Sequence, residues 1–155
     1  MEIKIRTAQV SDIETLLAFE GGIIETERPF DPTLKVGEIH YYDLIELINS
    51  SKAEVVVAVA GDEIVGSGYA KILPAKPYLK FDSYAYLGFM YVKPSYRGQG
   101  VNQLIINNLI NWAQCKNLKE VRLEVYSENI SARNAYAKIG FKPHMLEMRL
   151  DVSNQ

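Results

Sequence analysis

Two short segments in a fixed order constrain this chain more than any other feature. Arg97-Gly98-Gln99-Gly100-Val101-Asn102 lies between an apolar run, Ala85 to Val92, and residues Val101, Leu104, Ile105, Leu109 and Trp112, which recur at helical spacing. Further on, Asn129-x-x-Ala132-x-x-x-Tyr136-x-x-x-Gly140-Phe141 follows a second apolar run, Val121 to Tyr126. Each segment reads as a strand entering a turn that opens a helix, which demands an α/β architecture with parallel neighbours in this half of the chain.

The two turns suggest different chemistry. The first turn of a helix carries unpaired N–H groups and the positive end of the dipole, so it attracts phosphate. Gly98 and Gly100 let the backbone approach an anion without a Cβ in the way, and Arg97 can add a forked cationic contact. In the second segment Asn129 or Ser131 is placed to cap a short helix and Gly140 to stop it. Tyr136 lies about two turns from Asn129, so a phenol and a carboxamide project from one element.

The whole chain bounds the alternatives. Its 155 residues, 48% of them apolar, are expected to form a single domain over 1–155 with a real core. Seventeen Lys and Arg balance nineteen Asp and Glu, with no basic block, so nucleic acid is not an expected partner. Cys115 is the only cysteine, which excludes an intrachain disulfide and a cysteine metal cluster, and His40 and His144 have no ligand spacing around them; no metal is expected. No apolar stretch approaches the roughly 20 residues of a membrane span, and a reducing cytoplasm is the expected location. A P-loop is disfavoured because Gly-x-x-x-x-Gly-Lys-Ser/Thr does not occur. A dinucleotide fingerprint is disfavoured because Gln103 stands where its third glycine would be.

Local patterning supplies the remaining elements. Residues 1–6 alternate like a strand, Ser11 and Glu14 read as a capping box, and Ile13, Leu16 and Leu17 give the following helix its apolar face. Gly21-Gly22 should weaken that helix, and the charged, proline-containing segment Glu25 to Pro32 should be a loop or kinked turn. Tyr41, Leu44, Ile45 and Ile48 mark a second helix. A hairpin follows, with strands at 54–60 and from Ile64 joined at Gly61-Asp62, then a strand from Tyr84 to Val92 closed by Pro94. Helix, strand, helix, strand are expected at 101–115, 119–126, 130–139 and 144–151. The earlier hairpins imply antiparallel pairs and the later crossovers parallel ones, so the sheet is mixed.

At these residues the chain resembles the GNAT superfamily of N-acetyltransferases. Arg97 to Asn102 is similar to the family's pyrophosphate loop, Gln/Arg-x-x-Gly-x-Gly/Ala, and Asn129 to Phe141 is similar to its second motif. One departure is Asn102, where the family usually has Gly or Ala; its backbone N–H is retained, so altered packing around the phosphates is expected and not lost binding. The resemblance implies an α/β GNAT fold, a mixed twisted sheet with helices on both faces, and acetyl-CoA as co-substrate. It further implies that the strand before the loop opens from its neighbour so that backbone groups at Met90, Tyr91 and Val92 pair with pantetheine. Arg97, Gly98, Gln99, Gly100, Val101, Asn102 and Gln103 would then hold the pyrophosphate, with Asn129 and Tyr136 also contacting CoA. The same residues admit plainer roles: Met90 to Val92 as sheet core, Asn129 as a cap, Tyr136 as a packing aromatic.

The implied reaction is direct transfer of an acetyl group to a primary amine. A thiol like that of cysteine has a pKa near 8.5 and a phenol one near 10, so Tyr136 can hydrogen-bond or protonate the departing thiolate. An alkyl ammonium, pKa near 10.4, must first lose a proton. Glu124 is the expected base, since Leu123-Glu124-Val125 resembles members that acetylate protein N-termini; Glu25, Glu27 or an ordered water are the alternatives, and a salt-bridged surface role is the plain one. Glu20, Glu25, Glu27 and Asp31 could steer a cationic amine, and Glu25 and Glu27 are candidate substrate contacts. Gly88 and Phe89 leave the preceding strand without the carboxylate that some relatives carry there. Cys115 lies beyond Trp112 on the helix, away from the expected acyl group, so no ping-pong route is expected. A small-molecule amine or a peptide N-terminus fits as acceptor and a homodimer fits as assembly. The competing readings are another acyl-CoA donor, or a silent acyl-CoA sensor or interaction module.

Overall fold

The computed structural model describes residues 2–153, which fall into two compact units divided between Glu124 and Val125. The first holds a five-stranded sheet in sequential order: β1 (Ile3–Thr7), β2 (Ala53–Ala60), β3 (Glu63–Pro74), β4 (Ser83–Val92) and β5 (Val121–Arg122). The first four strands pair antiparallel and β5 joins β4 in parallel, so the expected mixed sheet is present. On one face, Val55, Val57, Tyr69 and Phe89 pack against Leu16, Phe19 and Ile23 of α1 (Ile13–Glu27) and Leu44 of α2 (Leu44–Asn49). The other face meets α3 (Val101–Cys115), whose Val101, Ile105 and Leu109 form one i, i+4 row against Gly66 and Gly68. Leu104, expected inside, is exposed, and Ile106 is buried in its place.

Three local expectations change. The cap of the first helix is built by Gln9 and Asp12 and not by Ser11 and Glu14: Asp12 accepts from the Gln9 N–H at 2.8 Å and from the Arg6 guanidinium at 2.9 and 3.0 Å. The Arg6 hydrogen bond is also the main cause holding the Asp12 carboxyl below its usual range. Next, α1 runs through Gly21 and Gly22 to Glu27, so Glu25 and Glu27 are helical; only Arg28–Phe30 tightens to a 3-10 turn ahead of Pro32. A Cβ on Gly22 would sit 2.7 Å from Cε2 of Tyr91, so this glycine is kept for close helix–sheet contact. Lastly, Tyr41 precedes α2, outside any helix or strand, instead of lying on it.

The region after α3 departs further. Strand pairing expected over 119–126 is confined to Val121–Arg122, facing Ala85 and Tyr86. In the second unit, α4 (Ile130–Ile139) has the expected bounds, with the Asn129 side chain accepting from the Ala132 N–H at 3.2 Å and Gly140 ending it at φ 121°. The strand expected at 144–151 does not form. Leu146, Met148, Leu150 and Val152 do alternate with charged residues, but an alternating segment becomes a strand only where a neighbouring backbone completes its ladder, and these side chains are exposed.

Candidate active site

The site begins with an irregularity in β4. Between the pairs Ser67–Tyr91 and Tyr69–Gly88, β4 carries one residue more than β3, and Phe89 adopts φ 60°. This is a β-bulge, and a bulky residue at positive φ is strained unless its surroundings hold it there. Here the buried Ser67 hydroxyl donates to the Phe89 carbonyl at 3.0 Å, and the Phe89 ring is packed in the core beside Tyr42, centroids 5.3 Å apart. Because β5 pairs only with Ala85 and Tyr86, the outer edge of β4 from Leu87 to Val92 has no strand beside it among the described residues. Met90, Tyr91 and Val92 all lie on this open length.

β4 leads into the glycine loop. Pro94–Tyr96 form a 3-10 turn, Gly98 has φ 76°, and Gly100, the residue ahead of α3, has φ 81° with no side-chain cap. The first backbone bond across the helix start is Leu104 N–H to the Gly100 carbonyl at 3.2 Å. The N–H groups of Val101, Asn102 and Gln103 therefore precede the intrahelical ladder and point out of the helix end. A Cβ built on Gly98 or Gly100 meets nothing within 4 Å, so there is open space ahead of the loop. The Arg97 Nε donates to the Val92 carbonyl at 2.9 Å and its guanidinium stands 5.7 Å from the Tyr91 ring, while Gln99 ties back to the Ser95 carbonyl at 3.2 Å. Open backbone donors, a dipole end and a braced guanidinium fit a polyphosphate.

On the α1 face of the sheet lies a tyrosine cluster that patterning along the chain does not reveal. The Tyr86 hydroxyl donates to Glu124 at 2.7 Å. Burial first, then that bond, pushes the Tyr86 phenol far up, so it remains a donor at neutral pH. Tyr69 is pushed up to about 12 by burial and then by the Glu124 charge. Tyr42 is raised by burial, then by Tyr69 and Glu27, and its ring meets Tyr69 edge-on at 5.5 Å. Glu27 is raised by burial, an effect opposed by the polarity of the Tyr41 phenol. Gly88 makes room for this arrangement: a Cβ there would fall 2.5 Å from Cζ and Oη of Tyr69. The two expected substrate carboxylates thus part company, since Glu25 is exposed and paired with Arg28 at 3.0 Å while Glu27 enters the cluster.

The segment bearing Tyr41 and Tyr42 is held by Glu20, which is 1% exposed. Its carboxylate accepts from the backbone N–H groups of Tyr41 and Tyr42 at 2.8 and 2.9 Å and faces His40 Nδ1 at 2.8 Å. Glu20, expected among solvent-facing steering charges, is therefore a buried brace. In the second unit the Tyr136 ring meets Phe141 edge-on at 6.0 Å, and Asn129 is the helix cap. No cluster of three or more potential metal ligands occurs among the described residues.

Comparison with known proteins gives a consistent picture. The profile of the acetyltransferase (GNAT) family matches residues 22–141. The uncharacterized N-acetyltransferase YobR of Bacillus subtilis (strain 168) is 36% identical over 62 residues, which are 40% of this chain and 25% of that protein. The chain thus matches about a quarter of the length of this curated relative. A mutant of the BH1408 protein of Bacillus halodurans shares the fold with a TM-score of 0.87 at 20% identity, over 96% of this chain and 99% of that one. A predicted acetyltransferase from Clostridium acetobutylicum, solved with acetyl-CoA, has a TM-score of 0.77 at 21% identity over 99% of each chain. An aminoglycoside acetyltransferase from an uncultured soil metagenomic sample, solved with trehalose, has a TM-score of 0.73 at 18% identity over 97% of each.

Proposed function

The chain belongs to the acetyltransferase (GNAT) family, and from that premise we propose that it transfers an acetyl group from acetyl-CoA to a primary amine by direct attack. The observation that carries this reading is the bulged, open-edged end of β4 running into a helix whose first turn is preceded by two left-handed glycines. Further support comes from the fold shared with a predicted acetyltransferase solved with acetyl-CoA.

In this reading the N–H groups of Val101 to Gln103 and the Arg97 guanidinium bind the pyrophosphate, and backbone groups of Met90 to Val92 bind the pantetheine arm. Acetyl-CoA supplies the acetyl group as a thioester, whose C–S bond breaks as the amine nitrogen forms its C–N bond. Glu124, oriented by the Tyr86 hydroxyl, takes the proton that the ammonium must lose before its lone pair can attack. Glu27, half-buried and with its pKa raised by burial, is the second carboxylate facing the amine. Tyr136 serves the departing thiolate. The acceptor is a small amine or a peptide N-terminus; that a fold relative is an aminoglycoside acetyltransferase supports an amine. The whole chain acts as one catalytic domain in a reducing cytoplasm.

Thiol release from acetyl-CoA across a panel of amines tests the proposal. Release that depends on the added amine, with an acidic limb of the pH–rate profile lost in Glu124→Gln, is the expected result. CoA binding without turnover on any amine would favour a sensor. A preference for succinyl- or propionyl-CoA would reassign the donor. An unaltered limb in Glu124→Gln would move the base role to Glu27, Glu25 or an ordered water.

A further inference from the structure

Among the described residues, Lys71 is the one cation whose ammonium stands over the rings of Tyr69 and Tyr86. It pairs across the sheet with Tyr86 and shares a face with Tyr69 two residues earlier. Its ammonium stands 5.6 Å from the Tyr69 ring centroid and 5.7 Å from that of Tyr86, the ring whose hydroxyl holds Glu124. Lys93, in contrast, is neutralised by Glu63 at 2.8 Å. Among the described residues the Lys71 ammonium has no such carboxylate and no hydrogen-bond acceptor; the two rings are its partners, and Lys71 is half-buried. The cluster therefore presents two carboxylates, Glu27 and Glu124, together with one ammonium that neither of them contacts directly.

Resting on the acetyltransferase reading, we propose that the acceptor is zwitterionic: an amine bearing a carboxylate or phosphate a few bonds away, whose anionic group is seated on the Lys71 ammonium while its nitrogen faces Glu124. Three donors on a flexible stem suit a single carboxylate or phosphate oxygen. The ammonium is attracted to the two ring faces, which accept no hydrogen bond of ordinary strength from it, so its N–H donors remain to be used by a ligand. The same charge repels a second ammonium, so polyamines and other polycations are discriminated against at this position although the site contains two carboxylates.

Matched pairs test this: leucine against 3-methylbutylamine, lysine against cadaverine, and phosphoethanolamine against ethanolamine. Each is assayed by thiol release from acetyl-CoA with the wild-type protein and Lys71→Met, which keeps the apolar stem. The expected result is a kcat/KM ratio favouring the anionic member of at least one pair by about ten-fold or more, the scale of one charge-assisted hydrogen bond, with the ratio falling toward one in Lys71→Met. Equal use of both members by the wild-type protein, preference for the plain amines, or a ratio unaltered in Lys71→Met overturns the proposal. Calorimetric titration of the same ligands into the CoA-saturated protein separates this from failure of the acetyltransferase reading. Binding of an anionic member that is lost in Lys71→Met without any thiol release keeps the anion seat and removes the enzyme. Neither binding nor turnover removes the anion seat.

Discussion

The contact between Gly88 and Tyr69 shows how narrowly single residues set this site. Gly88→Ala places a methyl group 2.5 Å from the Tyr69 ring, so the ring must leave its seat. The expected outcome is a loss of about 1–3 kcal/mol, as for other overpacked cores, read from urea denaturation, with a fall in kcat/KM for the amine. Stability and kcat/KM both at wild-type levels would mean that Tyr69 moves freely. Tyr86→Phe changes the other end of the cluster by removing one oxygen. Without its donor the Glu124 carboxylate loses the contact that orients it, so kcat should fall by about ten-fold or more, within the range of a general base, while the fold is retained. A wild-type kcat would separate Tyr86 from the base. None of this is visible along the chain, because Lys71–Tyr86 and Tyr69–Gly88 become neighbours only through the cross-strand register, which the extra residue in β4 resets.

At the scale of elements, legibility follows locality. The bounds of α3 and α4 are the expected ones because their start signals, a left-handed Gly100 and a capping Asn129, are read within one turn of chain. α1 extends past its expected end because Gly22 answers to Tyr91, a residue far along the sequence. Gly100→Val forces a β-branched residue into φ 81° at the phosphate loop. Acetyl-CoA affinity should drop more than ten-fold, about 1.4 kcal/mol or more, by calorimetry on protein with a wild-type circular dichroism spectrum. The loop before α2 has its own signature. His40 Nδ1 faces Glu20 and Nε2 faces Glu38 at 3.3 Å; the Glu20 hydrogen bond, then its charge, raises the His40 pKa. A raised folded-state value means that this contribution is fully present below about pH 6.5 and is lost as pH rises through the folded-state pKa. Stability should therefore fall more steeply with rising pH from 6.5 in the wild type than in His40→Gln, as measured by denaturant midpoints.

For the whole molecule, the mixed character of the sheet was legible from hairpin and crossover lengths, whereas the order of strands within it was not read and the last predicted strand was not formed. Periodicity at 144–151 records what a segment can do once a partner strand is offered, and no pattern in a single segment names that partner. Hydrogen exchange offers a direct check. Amides of Met145 to Met148, outside any helix or strand, should exchange within seconds, while those of Val55 to Val57, in the middle of β2, persist to global unfolding. Slow exchange at Met145 to Met148 would indicate pairing in solution.

The bulge in β4 also bears on aggregation. An exposed strand edge is a template for another copy of the same chain, and proteins commonly blunt such edges with charge, proline or a local kink. The length from Leu87 to Val92 carries no charge and no proline, so the kink at Phe89 is its protection. A straight strand from a second copy cannot keep register across the extra residue. A slender flexible chain with its own amide groups is under no such constraint, and the irregularity that keeps the edge from its own kind leaves it open to that guest.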